Sequence, residues 1–109
     1  MSNNGWIAVD LDRTLAYYDH WRGETHVGEP IPAMVQRVKR WLADGQEVKI
    51  FTARVAGGDV PAIVAAIEAW CLLHLGQVLP VTNAKDFDMI ELWDDRAVQV
   101  VPNVGLRVG

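Results

Sequence analysis

The chain has 109 residues, half of them hydrophobic, and a formal net charge of −4. This length fits one domain of common size, so we expect a single domain over 1–109 without a large inserted lid. The acidic balance argues against nucleic-acid binding through a broad basic face, although a localised contact stays open. The single cysteine, Cys71, excludes an internal disulfide. We see no signal-peptide pattern and no apolar run near the length of a membrane span, which predicts a cytoplasmic protein.

The first predicted strand ends in two acids. The apolar run 6–9 follows Gly5 and is typical of a strand covered on both faces. Asp10 and Asp12 come at its C-terminal end, where a carboxylate loses hydration and needs a partner, hydrogen bonds or a metal. An ordinary surface turn can carry the same Asp-x-Asp pattern, so these two residues alone do not decide the function.

A polar and aromatic segment, 16–29, follows the first strand. Gly23 can set a turn between two short strands, so we expect a small hairpin flap here. Trp21 within it could stack on a base or sugar of a substrate, or could pack the flap onto the domain. Residues 30–32, Pro-Ile-Pro, then open a helix with apolar residues at helical spacing, which Gly45 ends.

Strands and helices alternate in the rest of the chain. Asp59 is the predicted N-cap of a largely apolar helix, 60–75, which ends at Gly76. Further strands are predicted at 47–52, 78–82, 89–93 and 98–101, the last as an edge strand. This order implies right-handed crossovers and a mostly parallel sheet with helices on both faces.

Polar side chains follow each predicted strand. Thr52 ends the second strand, Lys85 comes after the third, and Asp94 and Asp95 follow the fourth. The carboxyl ends of parallel strands face one crevice, where ligands bind. Two acid pairs, a hydroxyl and an ammonium group together suit phosphoryl chemistry on a bound divalent cation.

At these residues the chain resembles the haloacid dehalogenase-like (HAD) hydrolase superfamily. The matching pieces, in the order of that family, are Asp10-Leu11-Asp12-Arg13-Thr14, Phe51-Thr52-Ala53-Arg54, Lys85 and Asp94-Asp95. One residue departs from the pattern, because Arg13 stands where the family usually has Gly. The resemblance implies one Rossmann-like, three-layer α/β domain, with the 16–29 flap in place of a cap domain.

The resemblance also implies a reaction, the hydrolysis of phosphomonoesters through an aspartyl-phosphate. Asp10 would be the nucleophile. Asp12 would protonate the leaving group and later activate water, and an Asp at this position is typical of the family's phosphatases. Thr52 and Lys85 would contact the phosphoryl oxygens.

The remaining site residues are predicted to bind the metal or the substrate. Mg²⁺ would be held by Asp10, Asp94 and the carbonyl of Asp12, with Asp95 acting through water or orienting a neighbour. Which of Asp94 and Asp95 binds the metal directly stays open, and the alternative for both is an acidic turn paired with Arg96. The residues predicted to bind the substrate are Thr14, Arg54 and Trp21. Thr14 would hold the bend after the first strand. Arg54 could reach a substrate phosphate or pair with Asp59.

The expected substrate is a phosphorylated small molecule or a nucleic-acid end, such as a nucleotide or polynucleotide phosphate, and homo-oligomer formation stays open. The alternative is a non-catalytic or signalling phospho-acceptor module on the same fold. A receiver-like module ranks lower, because it would carry its phosphorylated Asp directly after the third strand, where this chain has no suitable Asp.

Overall fold

Four parallel strands form one sheet within residues 5–109, the part of the chain that this computed structural model describes. They are β1 (Trp6–Asp10), β2 (Glu47–Phe51), β3 (Val81–Thr82) and β4 (Met89–Trp93). Their spatial order is β3-β2-β1-β4, so β1 lies inside the sheet and pairs with both β2 and β4. The predicted α/β class, with a single Rossmann-like domain and a parallel sheet, is confirmed.

Two helices connect the first three strands. Helix α1 (Pro32–Ala43) begins with proline in its first turn, where the missing N–H would have no helical partner. Helix α2 (Val60–Leu75) begins after Asp59, whose carboxylate accepts a hydrogen bond from the backbone N–H of Ala62. Gly76 ends α2 in the left-handed conformation that glycine adopts without steric cost. No helix in the described residues is long and apolar enough to cross a bilayer.

Both helices pack on the same face of the sheet. Ile7 and Val9 of β1 and Val48 and Ile50 of β2 share one core cluster with buried side chains from α1 and α2. The chain crosses from β1 to β2 to β3 in one direction, and right-handed crossovers in one direction put their helices on one face. The loop from β3 to β4, 83–88, reverses that direction but is too short for a crossover helix. The expected helix layer on the second face is therefore wrong for residues 5–109.

The second face is covered locally by side chains. Trp6 is almost fully buried, and the ammonium of Lys49 lies 4.5 Å from the centre of its ring. The indole N–H of Trp6 donates to Asp86 at 2.9 Å, and this bond lowers the pKa of the Asp86 carboxyl. The loop 83–88 thus protects part of the face that a helix was expected to cover.

The expected flap is a loop rather than a two-stranded hairpin. An isolated antiparallel bridge between Ala16 and Pro30 and a hydrogen bond from Tyr17 N–H to the carbonyl of Glu29 close its base. Gly23 does make a turn, at φ +111°, but no strand is formed over 17–29. Trp70 of α2 holds the loop by donating to the carbonyl of Gly28 at 2.8 Å. We call residues 17–29 the flap loop.

The last predicted strand is also wrong. Residues 98–101 do not join the sheet, and Val100 instead forms an isolated bridge with Arg107. The third strand is shorter than expected, since only Val81 and Thr82 pair with β2.

Candidate functional site

Three carboxylates converge at the C-terminal end of the sheet. Asp10 is the last residue of β1, and Asp94 and Asp95 directly follow β4, the strand beside it. One oxygen from each of the three lies within 4.8 Å of the others. Asp10 and Asp94 are partly buried, while Asp95 is exposed. Parallel pairing of β1 with β4 therefore brings together acids that are more than eighty residues apart in sequence.

The electrostatics of this cluster favour a bound cation. Burial, with the neighbouring charges of Asp94 and Asp95, raises the pKa of Asp10 to about 7. Thr14 donates a hydrogen bond from its hydroxyl to Asp10 Oδ2 at 3.3 Å, which acts in the opposite direction. Asp94 accepts a hydrogen bond from the backbone N–H of Arg96 at 3.0 Å. Three oxygen donors that repel one another match the donor set that Mg²⁺ prefers, so these residues fit such an ion.

The bend after β1 has an unusual backbone. Arg13 has φ +74°, in the left-handed region that favours glycine. Hydrogen bonds from the backbone N–H groups of Leu15 and Ala16 to the carbonyl of Leu11 hold the turn. The guanidinium of Arg13 lies 5.6 Å from the centre of the Tyr18 ring, at the start of the flap loop. The geometry explains why glycine suits this position and shows that arginine accepts it at a cost in strain.

Asp12 is held by Arg54. The Nε and Nη2 groups of Arg54 donate to the two carboxylate oxygens of Asp12, each at 2.8 Å. The Nη1 group donates to the carbonyls of Glu24 and His26 at 3.1 and 2.6 Å. The Arg54 side chain is only 7% exposed. Of the two roles considered for Arg54, pairing with Asp59 is wrong, since Asp59 caps α2 and Arg54 pairs with Asp12.

Thr52 lies beside Asp10 in a protected position. It is 3% exposed, and its hydroxyl accepts a hydrogen bond from the backbone N–H of Arg54, which begins the 3₁₀ turn over 53–56. A hydroxyl that accepts one bond can still donate one, so Thr52 can donate to an oxygen of a ligand in the cleft.

These groups open into a cleft of about 350 Å³. Of the predicted site residues, it is lined by Asp10, Asp12, Trp21, Thr52, Arg54, Asp94 and Asp95. Thr14 lies behind the acids instead, where it contacts Asp10. Lys85 is exposed in the 83–88 loop and is not among the residues that line the cleft. The structure therefore does not bring Lys85 together with the other predicted catalytic residues.

Other cleft residues were not predicted as site residues. Arg13 and Arg96 line it and add positive charge beside the acids, and Tyr18 lines it from the flap loop. The sequence did contain a signal for Arg96, since it directly follows the second acid pair. Tyr18 and Arg54 also line a neighbouring cavity of about 250 Å³ beneath the loop, with two histidines, His20 and His26, on its wall.

Trp21 is 60% exposed at the mouth of the cleft. Its ring centre lies 5.8 Å from the guanidinium carbon of Arg54. Of the two interpretations of Trp21, this exposure favours a contact surface over a packing residue. A side chain buried in the domain would have lost most of its accessible area.

Comparison with known proteins gives one informative likeness. No family model matches the chain, and no curated protein matches it. A solved structure of a conserved protein from Bacteroides thetaiotaomicron is similar, with a TM-score of 0.64 and 23% sequence identity. The match covers 93% of this chain and 84% of the Bacteroides chain. At that identity the likeness supports the fold of the whole domain and nothing finer.

Proposed function

We propose that this protein is a Mg²⁺-dependent phosphomonoester hydrolase that acts through an aspartyl-phosphate. The observation that carries the proposal is the partly buried Asp10, placed at the end of a central strand with Asp94 and Asp95 around it. The cleft that they share also contains a second carboxylate, Asp12, and a protected hydroxyl, Thr52. The resemblance to HAD hydrolases assigns a function to each of these groups.

In the first step a carboxylate oxygen of Asp10 attacks phosphorus. An O–P bond to Asp10 forms while the bond from phosphorus to the leaving-group oxygen breaks, and that oxygen takes a proton from Asp12. In the second step Asp12 accepts a proton from water, which attacks phosphorus and releases inorganic phosphate with Asp10 restored. The hydroxyl of Thr52 stabilises the phosphoryl oxygens throughout.

The ion pair between Asp12 and Arg54 is compatible with the second step, in which Asp12 accepts a proton from water. Both of its carboxylate oxygens accept hydrogen bonds from Arg54, so in this conformation Asp12 can accept a proton rather than donate one. For the first step the Arg54 contact must loosen. Because Arg54 also donates to the carbonyls of Glu24 and His26, movement of the flap loop would loosen this contact.

The metal would be held by carboxylates of Asp10 and Asp94, with Asp95 at the rim and the carbonyl of Asp12 as the further ligand that the resemblance implies. When bound, Mg²⁺ neutralises charge on the phosphoryl group and on the acids around it. Arg13 and Arg96 would contact the phosphoryl oxygens with positive charge in place of Lys85, because both arginines line the cleft.

The substrate class that suits the cleft is a nucleotide or a polynucleotide phosphate end. The exposed ring of Trp21 and the ring of Tyr18 lie at the cleft, where a base or sugar of the leaving group could stack. The adjoining cavity, which shares Tyr18 and Arg54 with the cleft, gives the leaving group further room.

The test is turnover of p-nitrophenyl phosphate with Mg²⁺, with excess chelator, and with Mg²⁺ restored. Wild-type protein should turn over only with the metal, and Asp10→Asn should be inactive with an unchanged circular dichroism spectrum. Asp12→Asn should accumulate a phosphoenzyme, visible as one added phosphoryl group in the mass of acid-quenched protein. Asp44→Asn, an exposed acid beyond α1, is the matched control. Normal rates in Asp10→Asn, or full activity in chelator, would contradict the proposal.

A non-catalytic phospho-acceptor or binding module is the second candidate. The observation in its favour is that Lys85 lies outside the cleft. The same experiment separates the two functions. A module would give a phosphorylated or phosphate-bound wild-type protein that releases no p-nitrophenol beyond one equivalent.

A further inference from the structure

Strand β4 leaves one edge of the sheet open. It pairs with β1 on one side and is the last strand in the order, so within residues 5–109 no further strand pairs with its outer edge. Ile90 and Leu92 of this strand are 43% and 36% exposed, and Glu91 between them is exposed as well. An exposed apolar edge strand is a template for pairing with another chain.

The C-terminal arm, residues 98–109, is a second unpartnered apolar element. Its two halves pair with each other, since the Val101 N–H donates to the carbonyl of Leu106 at 2.7 Å and Val108 donates to Gln99 at 2.9 Å. Every residue from 95 to 109 is exposed. The exposed apolar side chains of the arm are Val98, Val100, Val101, Val104, Leu106 and Val108.

A lone two-stranded hairpin is at best marginally stable in water, and the apolar side chains of this one are exposed, so a surface that covers them would stabilise the arm. Its second half, 106–108, is joined to the first half by the isolated bridge between Val100 and Arg107. The outer edge of this second half pairs with no strand in the described part of the chain, as is true of β4.

The arm and β4 are complementary in charge and in pattern. The arm contains Arg107 and no acid. Of the ten basic and fourteen acidic residues in the chain, nine and fourteen therefore remain outside it, a net charge of −5. Strand β4 reads apolar–acidic–apolar over 90–92, and the arm reads apolar–basic–apolar over 106–108.

We propose that the protein forms a two-fold symmetric dimer in which the arm of each copy pairs antiparallel with β4 of the other. Glu91 lies opposite Arg107 across this interface, Leu92 opposite Leu106, and Ile90 opposite Val108. Opposed side chains on paired strands share a face, so this register joins opposite charges on one face and apolar groups on the other. The two-fold axis repeats the contact, which closes both free edges at once.

The first experiment measures mass in solution by light scattering and sedimentation. Wild-type protein should be a dimer, and Glu91→Arg or Arg107→Glu should each raise the dimer dissociation constant by about tenfold or more, because like charges then face each other twice. The double variant Glu91→Arg/Arg107→Glu should restore the dimer. Glu47→Arg and Arg40→Glu, at exposed positions outside the interface, are the matched controls. A wild-type monomer at ~100 µM, far above the dissociation constants of specific dimers, would overturn the proposal, as would failure of the double variant to recover.

The second experiment identifies which β4 the arm pairs with. Glu91→Cys/Arg107→Cys should form a covalent dimer on mild oxidation. Cys71 does not compete, since it is buried and burial raises its pKa to about 11. A disulfide within one chain would show that the arm folds back on its own β4, and would overturn the proposal.

Discussion

Arg54 and Asp12 form a doubly hydrogen-bonded ion pair, with both N–H···O distances at 2.8 Å, between the 3₁₀ turn after β2 and the bend after β1. The same guanidinium donates hydrogen bonds to the carbonyls of Glu24 and His26 in the flap loop. One nearly buried side chain thus connects three segments that no regular secondary structure joins. This relationship predicts an effect on stability.

Removing Arg54 should destabilise the fold, because it leaves a partly buried carboxylate and two loop carbonyls without their donor. We expect Arg54→Ala to lower the free energy of unfolding by about 2–4 kcal/mol, as measured by urea denaturation. Arg54→Lys should recover only part of this loss, since the ammonium of lysine cannot donate to both carboxylate oxygens with the planar, bidentate geometry of a guanidinium. Arg40→Ala, an exposed arginine on α1, is the control and should change little. In a double-mutant cycle, Asp12→Ala with Arg54→Ala should cost less than the two single changes together.

The pKa of Asp10 predicts how the metal-free protein responds to pH. The folded value is about 7 and the ordinary value is 3.8, so between these pH values the folded state binds a proton that the unfolded state releases. The free energy of unfolding therefore falls as pH rises through that window. Asp10→Asn should match the wild type near pH 4 and exceed it above pH 7 by about 1–3 kcal/mol, less than the full pKa shift would give, because solvent screens a partly exposed carboxylate. Thermal unfolding in chelator measures this difference, and parallel pH curves for the two proteins would contradict it.

The two acids after β4 should differ in their importance for the metal. Asp94 is partly buried and oriented by the Arg96 N–H, while Asp95 is exposed. We expect Asp94→Asn to weaken Mg²⁺ binding by more than about tenfold, and Asp95→Asn to weaken it less, as a ligand acting through water would. Calorimetric titration of the protein with Mg²⁺ alone measures both constants. The reverse order would assign Asp95 as the direct ligand.

Trp21 should affect catalysis only for substrates long enough to reach it. If it contacts the leaving group, Trp21→Ala should lower kcat/KM for a nucleotide substrate and leave p-nitrophenyl phosphate turnover nearly unchanged. Phe87→Ala, a fully exposed aromatic in the 83–88 loop, is the control. Equal losses on both substrates, or a fall in melting temperature that accounts for them, would make Trp21 a packing residue instead.

Strain at Arg13 predicts that glycine is the more stable residue there. Arg13→Gly relieves the left-handed conformation and should raise the free energy of unfolding by about 0.5–1 kcal/mol. Arg13→Ala keeps the strain while removing the same charge, so it should give no such gain. Comparing the two variants in urea separates backbone strain from the loss of the contact with Tyr18. A gain in both would assign the effect to charge.

Features that depend on neighbouring residues in sequence could be predicted well. The bounds of α2 follow from the cap at Asp59, the apolar run after it and the glycine stop at Gly76, which are all local signals. Strand β4 was placed at its observed bounds by its apolar pattern. The meeting of Asp10 with Asp94 and Asp95 was also predictable, because parallel strand ends share one edge and each acid directly follows its strand.

Other features that depend on distant parts of the chain were decided by the tertiary structure alone. The sequence placed Asp59 close to Arg54 as a partner, but the bend after β1 brought Asp12 into a better geometry for a planar guanidinium. Lys85 follows a strand as the pattern required, yet it is exposed and does not line the cleft. The apolar run 98–101 has strand character, but local pattern does not specify a pairing partner. An apolar pattern indicates which side chains are favoured to be buried, whereas the three-dimensional arrangement of all the elements decides which element packs against them.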